Sequence, residues 1–113
     1  MSMDLVQQLN QKINELNVSV KALRTSGTAY AQAEKDYKIL LRTECLKLRD
    51  EGMAIGMIDK TCYGIKSVAE ARFKRDCAKT VYLANQEAIN SIKLQMRILE
   101  SQINREWGVN NAN

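Results

Sequence analysis

Residues 4–51, DLVQQLNQKINELNVSVKALRTSGTAYAQAEKDYKILLRTECLKLRDE, determine the fold through a repeat of seven residues. One seven-residue series contains Leu9, Leu16, Leu23, Tyr30 and Tyr37. A second series, offset by four residues, contains Ile13, Val20, Gly27, Glu34, Leu41 and Leu48. Such heptads are typical of helices that pack along their length. The stretch therefore predicts a long helix that needs a partner to cover its apolar side.

The weakest part of this helix is Thr25–Thr28, because Thr, Ser and Gly are poor residues for a helix interior. A break there would divide the stretch into two helices. Tyr30 and Tyr37 keep the phase of the preceding leucines, which a loop would normally lose. We therefore predict one continuous helix over about 4–51, with Asp4 as its N-cap and Gly27 allowing a neighbour to approach closely.

A second long helix is predicted over 66–107, with residues 108–113 fraying after it. Its apolar residues follow one another at three- and four-residue steps: Ile65, Ala69, Phe73, Cys77, Val81, Ala84, Ala88, Ile92, Met96, Leu99 and Ile103. Residues 52–65 contain three glycines and predict a tip with a short helix near 54–61. Gly52 is suited to a left-handed position just after the first helix.

The expected fold is all-α: a single domain built as a long antiparallel, coiled-coil-like helical hairpin with a short helix or turn at its tip. One hairpin leaves apolar flanks uncovered, so we expect a homo-oligomer, most simply a dimer that forms a four-helix bundle. The residues predicted for the seam of the fold and of self-association are Leu9, Leu16, Leu23, Tyr30, Tyr37, Ile92 and Leu99.

Composition argues against several classes of protein. The chain has 113 residues, of which 27% are charged and 45% hydrophobic, and it has no proline or histidine. No apolar run reaches the roughly 18–20 residues that span a bilayer, and the first residues do not resemble a signal peptide. Three cysteines without C-x-x-C spacing indicate reduced thiols in a cytoplasmic protein. We expect no metal site and no cofactor.

Catalysis is also not expected from this sequence. Without histidine, the chain cannot form a Ser-His or Cys-His nucleophile. No phosphate-binding glycine loop is present, and the adjacent carboxylates, such as Asp50 and Glu51, lie where no pocket is predicted. The sequence therefore predicts a protein that acts by binding and is not an enzyme.

The net charge of +4 is concentrated in the middle of the chain, where residues 53–80 have six basic and three acidic side chains. The candidate binding residues are Lys60, Tyr63, Lys66, Arg72, Lys74, Arg75 and Lys79. Arg72, Arg75 and Lys79 lie opposite Phe73 on a helix and could follow a phosphate backbone or an acidic protein patch. The alternative is an ordinary solvated face, in part neutralised by Glu70 and Asp76.

The tip has the order of elements of a helix-turn-helix, with a second helix starting near Lys66. Its first helix is short, and a hairpin tip that covers the end of a bundle explains the same glycines. Both alternatives stay open at this point.

The second half of the sequence resembles small all-helical proteins encoded by phages and prophages of Gram-positive bacteria. The similar runs are Leu48–Gly52, Arg75–Ala78, Gln86–Asn90 and Arg105–Trp107, within a similarity that covers most of the chain after Tyr30. Such proteins are often encoded among early genes for recombination, replication or single-strand binding. The resemblance implies a phage origin and a cytoplasmic, non-structural role, and it carries over no catalytic residue to this sequence.

Two functions are favoured by these observations over a purely structural coiled-coil role. The first is an accessory factor in phage DNA metabolism that contacts nucleic acid or a DNA-processing protein. The second is an inhibitor of a host enzyme or defence system, similar in action to an anti-CRISPR protein, that works by protein–protein binding. No membrane and no small-molecule substrate is expected as a partner.

Overall fold

The computed structural model describes the backbone of residues 2–112 and the side chains of residues 4–108. This part of the chain forms three helices, α1 (Ser2–Asp50), α2 (Ile55–Cys62) and α3 (Lys66–Ala112), and no strand. The two long helices pack against each other as a helical hairpin. The predicted all-α hairpin, with a short helix at its tip, is confirmed.

α1 runs without a break through Thr25–Thr28, as the phase of the tyrosines predicted. A Cβ atom at Gly27 would lie 3.2 Å from Cε1 of Tyr82, so the missing side chain allows the tyrosine ring to approach α1 closely. The start of the helix differs from the prediction. α1 begins at Ser2, so Asp4 lies in the first turn. There its carboxylate interacts favourably with the positive end of the helix dipole.

The end of α1 is a left-handed glycine turn, as the sequence predicted. Gly52 has a φ of 88°, and its amide donates to the carbonyl of Arg49 at 3.0 Å. The amide of Met53 donates to the carbonyl of Leu48 at 3.1 Å. These two bonds are those of a Schellman motif, which satisfies carbonyls that the end of a helix would leave unpaired.

α3 continues to Ala112, so the prediction of a helix end at 107 is wrong. Gly108 does not have the left-handed backbone found at Gly52. A glycine costs a helix interior only about 1 kcal/mol, which does not end a helix by itself. Asn113, the last residue of the predicted frayed tail, lies outside the described residues.

The chain divides into two compact units. The terminal unit comprises Met1–Arg24 and Leu83–Asn113, and the tip unit comprises Thr25–Tyr82. In the terminal unit, Nδ2 of Asn85 donates to the carbonyl of Ala22 at 3.3 Å, and Ile89 and Leu99 are buried. The buried residues of the tip unit are Ser26, Ala33, Tyr37, Ile58, Cys62 and Val68.

The predicted inner face of α3 is wrong in the tip unit. Phe73 and Val81 are 71% and 54% exposed, and Ala69 and Cys77 are exposed as well. The residues that are buried or half-buried there are Val68, Ala71, Arg75, Ala78 and Tyr82. The more apolar of the two rows on this helix is exposed, whereas the row that faces inward contains an arginine.

In the terminal unit the prediction holds from Ile92 onward and is wrong for Ala84 and Ala88, which are exposed. Ile92, Met96 and Ile103 are half-buried there, and Leu99 is buried. On α1, Leu9, Leu16, Leu23 and Tyr30 are half-buried and Tyr37 is buried, as the heptads predicted. Ile13 is the exception in the second series, since it is exposed.

No helix among the described residues is both long enough and apolar enough to cross a membrane.

Candidate binding site at the tip

A groove of about 510 Å³ lies in the tip unit, between the last turns of α1 and the short helix α2. Its lining residues from α1 are Lys38, Leu41, Arg42, Cys45, Leu46 and Arg49. Those from α2 and the following turn are Ile55, Ile58, Asp59, Cys62 and Tyr63. The groove exists because the left-handed turn at Gly52 directs the chain back, so that α2 lies beside the end of α1.

The floor and walls of the groove are largely apolar. Ile58 and Cys62 are buried side chains of α2 and fix its position. Ile55 is 77% exposed and Leu46 is 45% exposed, so both present apolar surface that nothing in the described part of this chain covers. A groove with exposed aliphatic walls is suited to an apolar side chain of a partner.

Three cations line the groove along α1. Lys38, Arg42 and Arg49 are separated by four and seven residues, so they recur at close to whole turns of the helix. Nζ of Lys38 lies 3.4 Å from a carboxylate oxygen of Glu34, in an exposed pair of the kind that contributes little to stability. Asp59 is the one acidic residue among those that line the groove. The site is therefore apolar with a predominantly basic edge.

One of the two thiols in the groove, that of Cys45, is poorly suited to nucleophilic chemistry. Burial raises the pKa of Cys45, and a hydrogen bond with the side chain of Cys62 raises it further. Sγ of Cys62 donates to the carbonyl of Asp59 at 3.8 Å. Because the thiolate is the nucleophile, a raised pKa makes Cys45 less reactive at neutral pH. No three metal-ligating side chains come together anywhere in the part of the chain that the structure describes.

The basic residues predicted to form one row on α3 do not all face solvent in the structure. Lys66, Arg72, Lys74 and Lys79 of α3 are exposed, as is Lys60 of α2. Arg75 is different, because its side chain is only 21% exposed and faces α1. The row is therefore not a continuous line of cations along the surface.

Arg75 has three partners within the tip unit. Its guanidinium carbon lies 4.6 Å from the centre of the Tyr37 ring. Its NH1 and NH2 atoms lie 3.7 Å from a carboxylate oxygen of Glu34 and 2.8 Å from one of Asp76, respectively. The hydrogen bond to Asp76 raises the pKa of Arg75 above its usual value. The residue connects α3 to α1, and its predicted place in an exposed binding surface is not what the structure shows.

The other predicted tip residues lie at the surface. The guanidinium carbon of Arg72 lies 5.8 Å from the centre of the half-exposed Tyr63 ring. Lys66 forms an exposed pair with Glu70, with the charged atoms 4.0 Å apart. Tyr63 belongs to both sets, since it also lines the groove.

Sequence reasoning missed Lys38, Arg42 and Arg49. Residues 1–52 have eight basic and seven acidic side chains, so no charge excess marked them. The signal that could have found them is their spacing, which places them on one side of α1 directly before the glycine turn.

The chain matches no protein-family model, and comparison with curated proteins and with solved structures found no significant similarity.

Proposed function

We propose that this protein is a non-enzymatic binding protein, and that the groove of the tip unit receives an acidic amphipathic helix of a partner protein. The observation that supports the proposal is the combination of exposed Ile55 and Leu46 with the three cations of α1 around one groove. A helix that binds in a groove places its apolar residues inside and its charged residues at the edge.

The partner that we propose is a DNA-processing protein, with the chain acting as an accessory factor in phage DNA metabolism. This part of the proposal rests on the resemblance to phage proteins at Leu48–Gly52 and Arg75–Ala78. An inhibitor of a host enzyme or defence system would use the same groove with a different partner, and it stays the alternative.

A direct contact with nucleic acid is the second candidate. It is favoured by the half-exposed Tyr63 ring beside Arg72, with Lys66 and Lys74 nearby in sequence. Aromatic rings next to cations stack on unpaired bases. It is disfavoured by the inward position of Arg75, which removes one cation from the exposed row.

The test is a binding measurement with two labelled peptides of equal length and helicity, one acidic and one basic, each with leucines on one face. We expect fluorescence anisotropy to show binding of the acidic peptide, weakening as salt concentration rises. Arg42→Glu combined with Arg49→Glu should weaken that binding about tenfold or more, since each change reverses a charge at the edge of the groove. Lys74→Glu combined with Lys79→Glu is the matched control, because both lysines are exposed and neither lines the groove.

Equal binding of the two peptides, or no effect of the Arg42 and Arg49 changes, would overturn the groove proposal. A labelled single-stranded DNA in the same assay tests the second candidate. DNA binding that falls with salt, and that is lost in Lys66→Glu with Arg72→Glu, would favour nucleic acid as the partner.

We also propose that the chain acts as a homo-oligomer, with a dimer favoured. Large apolar side chains remain exposed on all three helices, among them Val18, Ile55 and Phe73. Long helices that leave apolar surface exposed gain stability by association.

A further inference from the structure

A row of exposed apolar side chains lies on α3 within the tip unit. Ala69, Phe73, Cys77 and Val81 follow one another at four-residue steps and are all exposed. Residues four apart in a helix form a continuous ridge along its surface. We refer to these four residues as the α3 ridge.

The α3 ridge is not needed for packing within the chain. The inner face of α3 in this unit is supplied by a separate row, which includes fully buried Val68, half-buried Ala71 and Arg75 with its contacts to α1. Phe73 is 71% exposed although it is the one phenylalanine of the sequence. A second apolar row that is exposed on the same helix indicates an interaction surface.

We propose that the α3 ridge is the surface on which a second copy of this chain packs, with the two α3 helices antiparallel about a two-fold axis. This inference rests on the proposed homodimer and identifies the surface that forms it. The residues of the predicted self-association seam, such as Tyr37 and Leu99, are buried within one chain.

The ridge is complementary to itself in this arrangement. An axis that passes at the level of residue 75 places Phe73 against Cys77 of the second copy and Val81 against Ala69 of the second copy. Each larger side chain then meets a smaller one, so the facing side chains of the two helices can interdigitate. A two-fold interface needs this kind of self-complementary surface.

The charges beside the ridge favour a second copy over other occupants. Glu70 and Asp76 are acidic, whereas Lys66 and Lys74 are basic, and all four are exposed. A surface for an anionic membrane or for nucleic acid would carry mainly cations around its apolar residues. The axis at the level of residue 75 also places Lys74 of each copy at the level of Asp76 of the second copy, so the charges beside the ridge are complementary between two copies.

The first experiment measures molecular mass by light scattering over a range of micromolar concentrations, for the full chain and its variants. We expect the unaltered chain to be a dimer, and Phe73→Asp to raise the dissociation constant at least about tenfold. Ile39→Asp is the matched control, because Ile39 is an exposed apolar residue of the same unit that lies on α1. Circular dichroism verifies that each variant is still helical.

The second experiment tests the antiparallel pairing. Ala69→Lys and Val81→Asp should each weaken the dimer, and an equimolar mixture of the two variants should recover it. The recovery is expected because the lysine introduced at position 69 of one variant then faces the aspartate introduced at position 81 of the other. The second contact of the pair, between the unaltered Val81 of one variant and the unaltered Ala69 of the other, is kept.

A monomeric unaltered chain, or a dimer unaffected by Phe73→Asp, overturns the proposal. A mixture that does not recover the dimer overturns the antiparallel arrangement. These outcomes are separate from those for the groove, since Phe73→Asp should still bind the acidic peptide and the Arg42 and Arg49 changes should leave the dimer intact.

Discussion

Arg75 is the residue whose position in the structure differs most from the position expected from the sequence. Its position in a run of basic residues predicted a solvent-exposed cation. In the structure its guanidinium lies against the ring of Tyr37 and close to Glu34. Sequence could not show this, because a basic residue has the same charge pattern whether it faces solvent or the neighbouring helix. A long arginine side chain can fill an inner position when an aromatic ring and carboxylates are its neighbours.

Replacing Arg75 should therefore destabilise the fold. Arg75→Ala removes the cation–π contact and leaves Glu34 without one of its partners, and we expect it to lower the free energy of unfolding by about 1–2 kcal/mol. Arg75→Lys should cost less than Arg75→Ala, because it keeps the charge but loses the planar group that stacks on Tyr37. The measurement is urea denaturation followed by circular dichroism.

Lys79→Ala is the control for this prediction, since Lys79 is exposed on the same helix. It should change the free energy of unfolding by less than about 0.5 kcal/mol. If Arg75→Ala is as mild as Lys79→Ala, the contacts of Arg75 do not stabilise the protein and the arginine is available for binding.

Among the helices, α1 was predictable and the first half of α3 was not. The leucines and tyrosines of α1 form one series with a seven-residue spacing, and this series identifies the inner face. It also predicts that the helix continues through Gly27, as the structure shows. α3 has two rows that could face inward, one with Phe73 and one with Val68. The hydrophobic pattern favours the row with Phe73 as the inner face. In the structure the row with Val68 is the inner one, and Arg75 of that row contacts Tyr37 and Glu34. The choice depends on tertiary contacts that a single sequence does not contain.

The groove could be predicted only in part for a related reason. Gly52 was recognised as the end of α1, and a short helix was expected near 54–61. The way α2 lies beside Leu41 and Arg42 depends on the burial of Ile58 and Cys62, which is again a tertiary contact. The cations of α1 became a candidate site only once α2 was placed next to them.

Two glycines near this turn should respond in opposite directions to the same change. Gly52→Ala introduces a Cβ that meets no atom within 4 Å, so its cost is conformational and comes from a φ of 88°. We expect it to lower the free energy of unfolding by about 1 kcal/mol. Gly56→Ala lies inside α2, also in open space, and should raise that free energy by about 0.5 kcal/mol.

Thermal and urea unfolding of the two variants provide the comparison, with Gly56→Ala serving as the control for the size of the added methyl group. A Gly52→Ala protein as stable as the unaltered chain would mean that the left-handed turn does not define the end of α1. In that case the position of α2 would depend on the burial of Ile58 and Cys62 alone.

For the molecule as a whole, the heptad pattern did not predict the division into two units, because it continues through Thr25 without a change. Within the described side chains, most of the buried residues belong to the tip unit, where α2 adds a third helix to the packing. In the terminal unit, the buried residues are Ile89 and Leu99. Parts of a protein with few buried apolar side chains open more readily than the rest.

Amide hydrogen exchange should therefore differ between the two units within one helix. We expect the amides of α1 over 28–45 to exchange with a higher free energy of opening than those over 8–20, because only the former belong to the tip unit. Ile89→Ala should lower the free energy of opening mainly over 8–20, and Val68→Ala mainly over 28–45, since each removes a buried side chain from one unit. Mass spectrometry of exchanged peptides measures both segments in the same sample. Equal protection of the two segments, or an equal response of both to each variant, would mean that the chain opens as one cooperative unit.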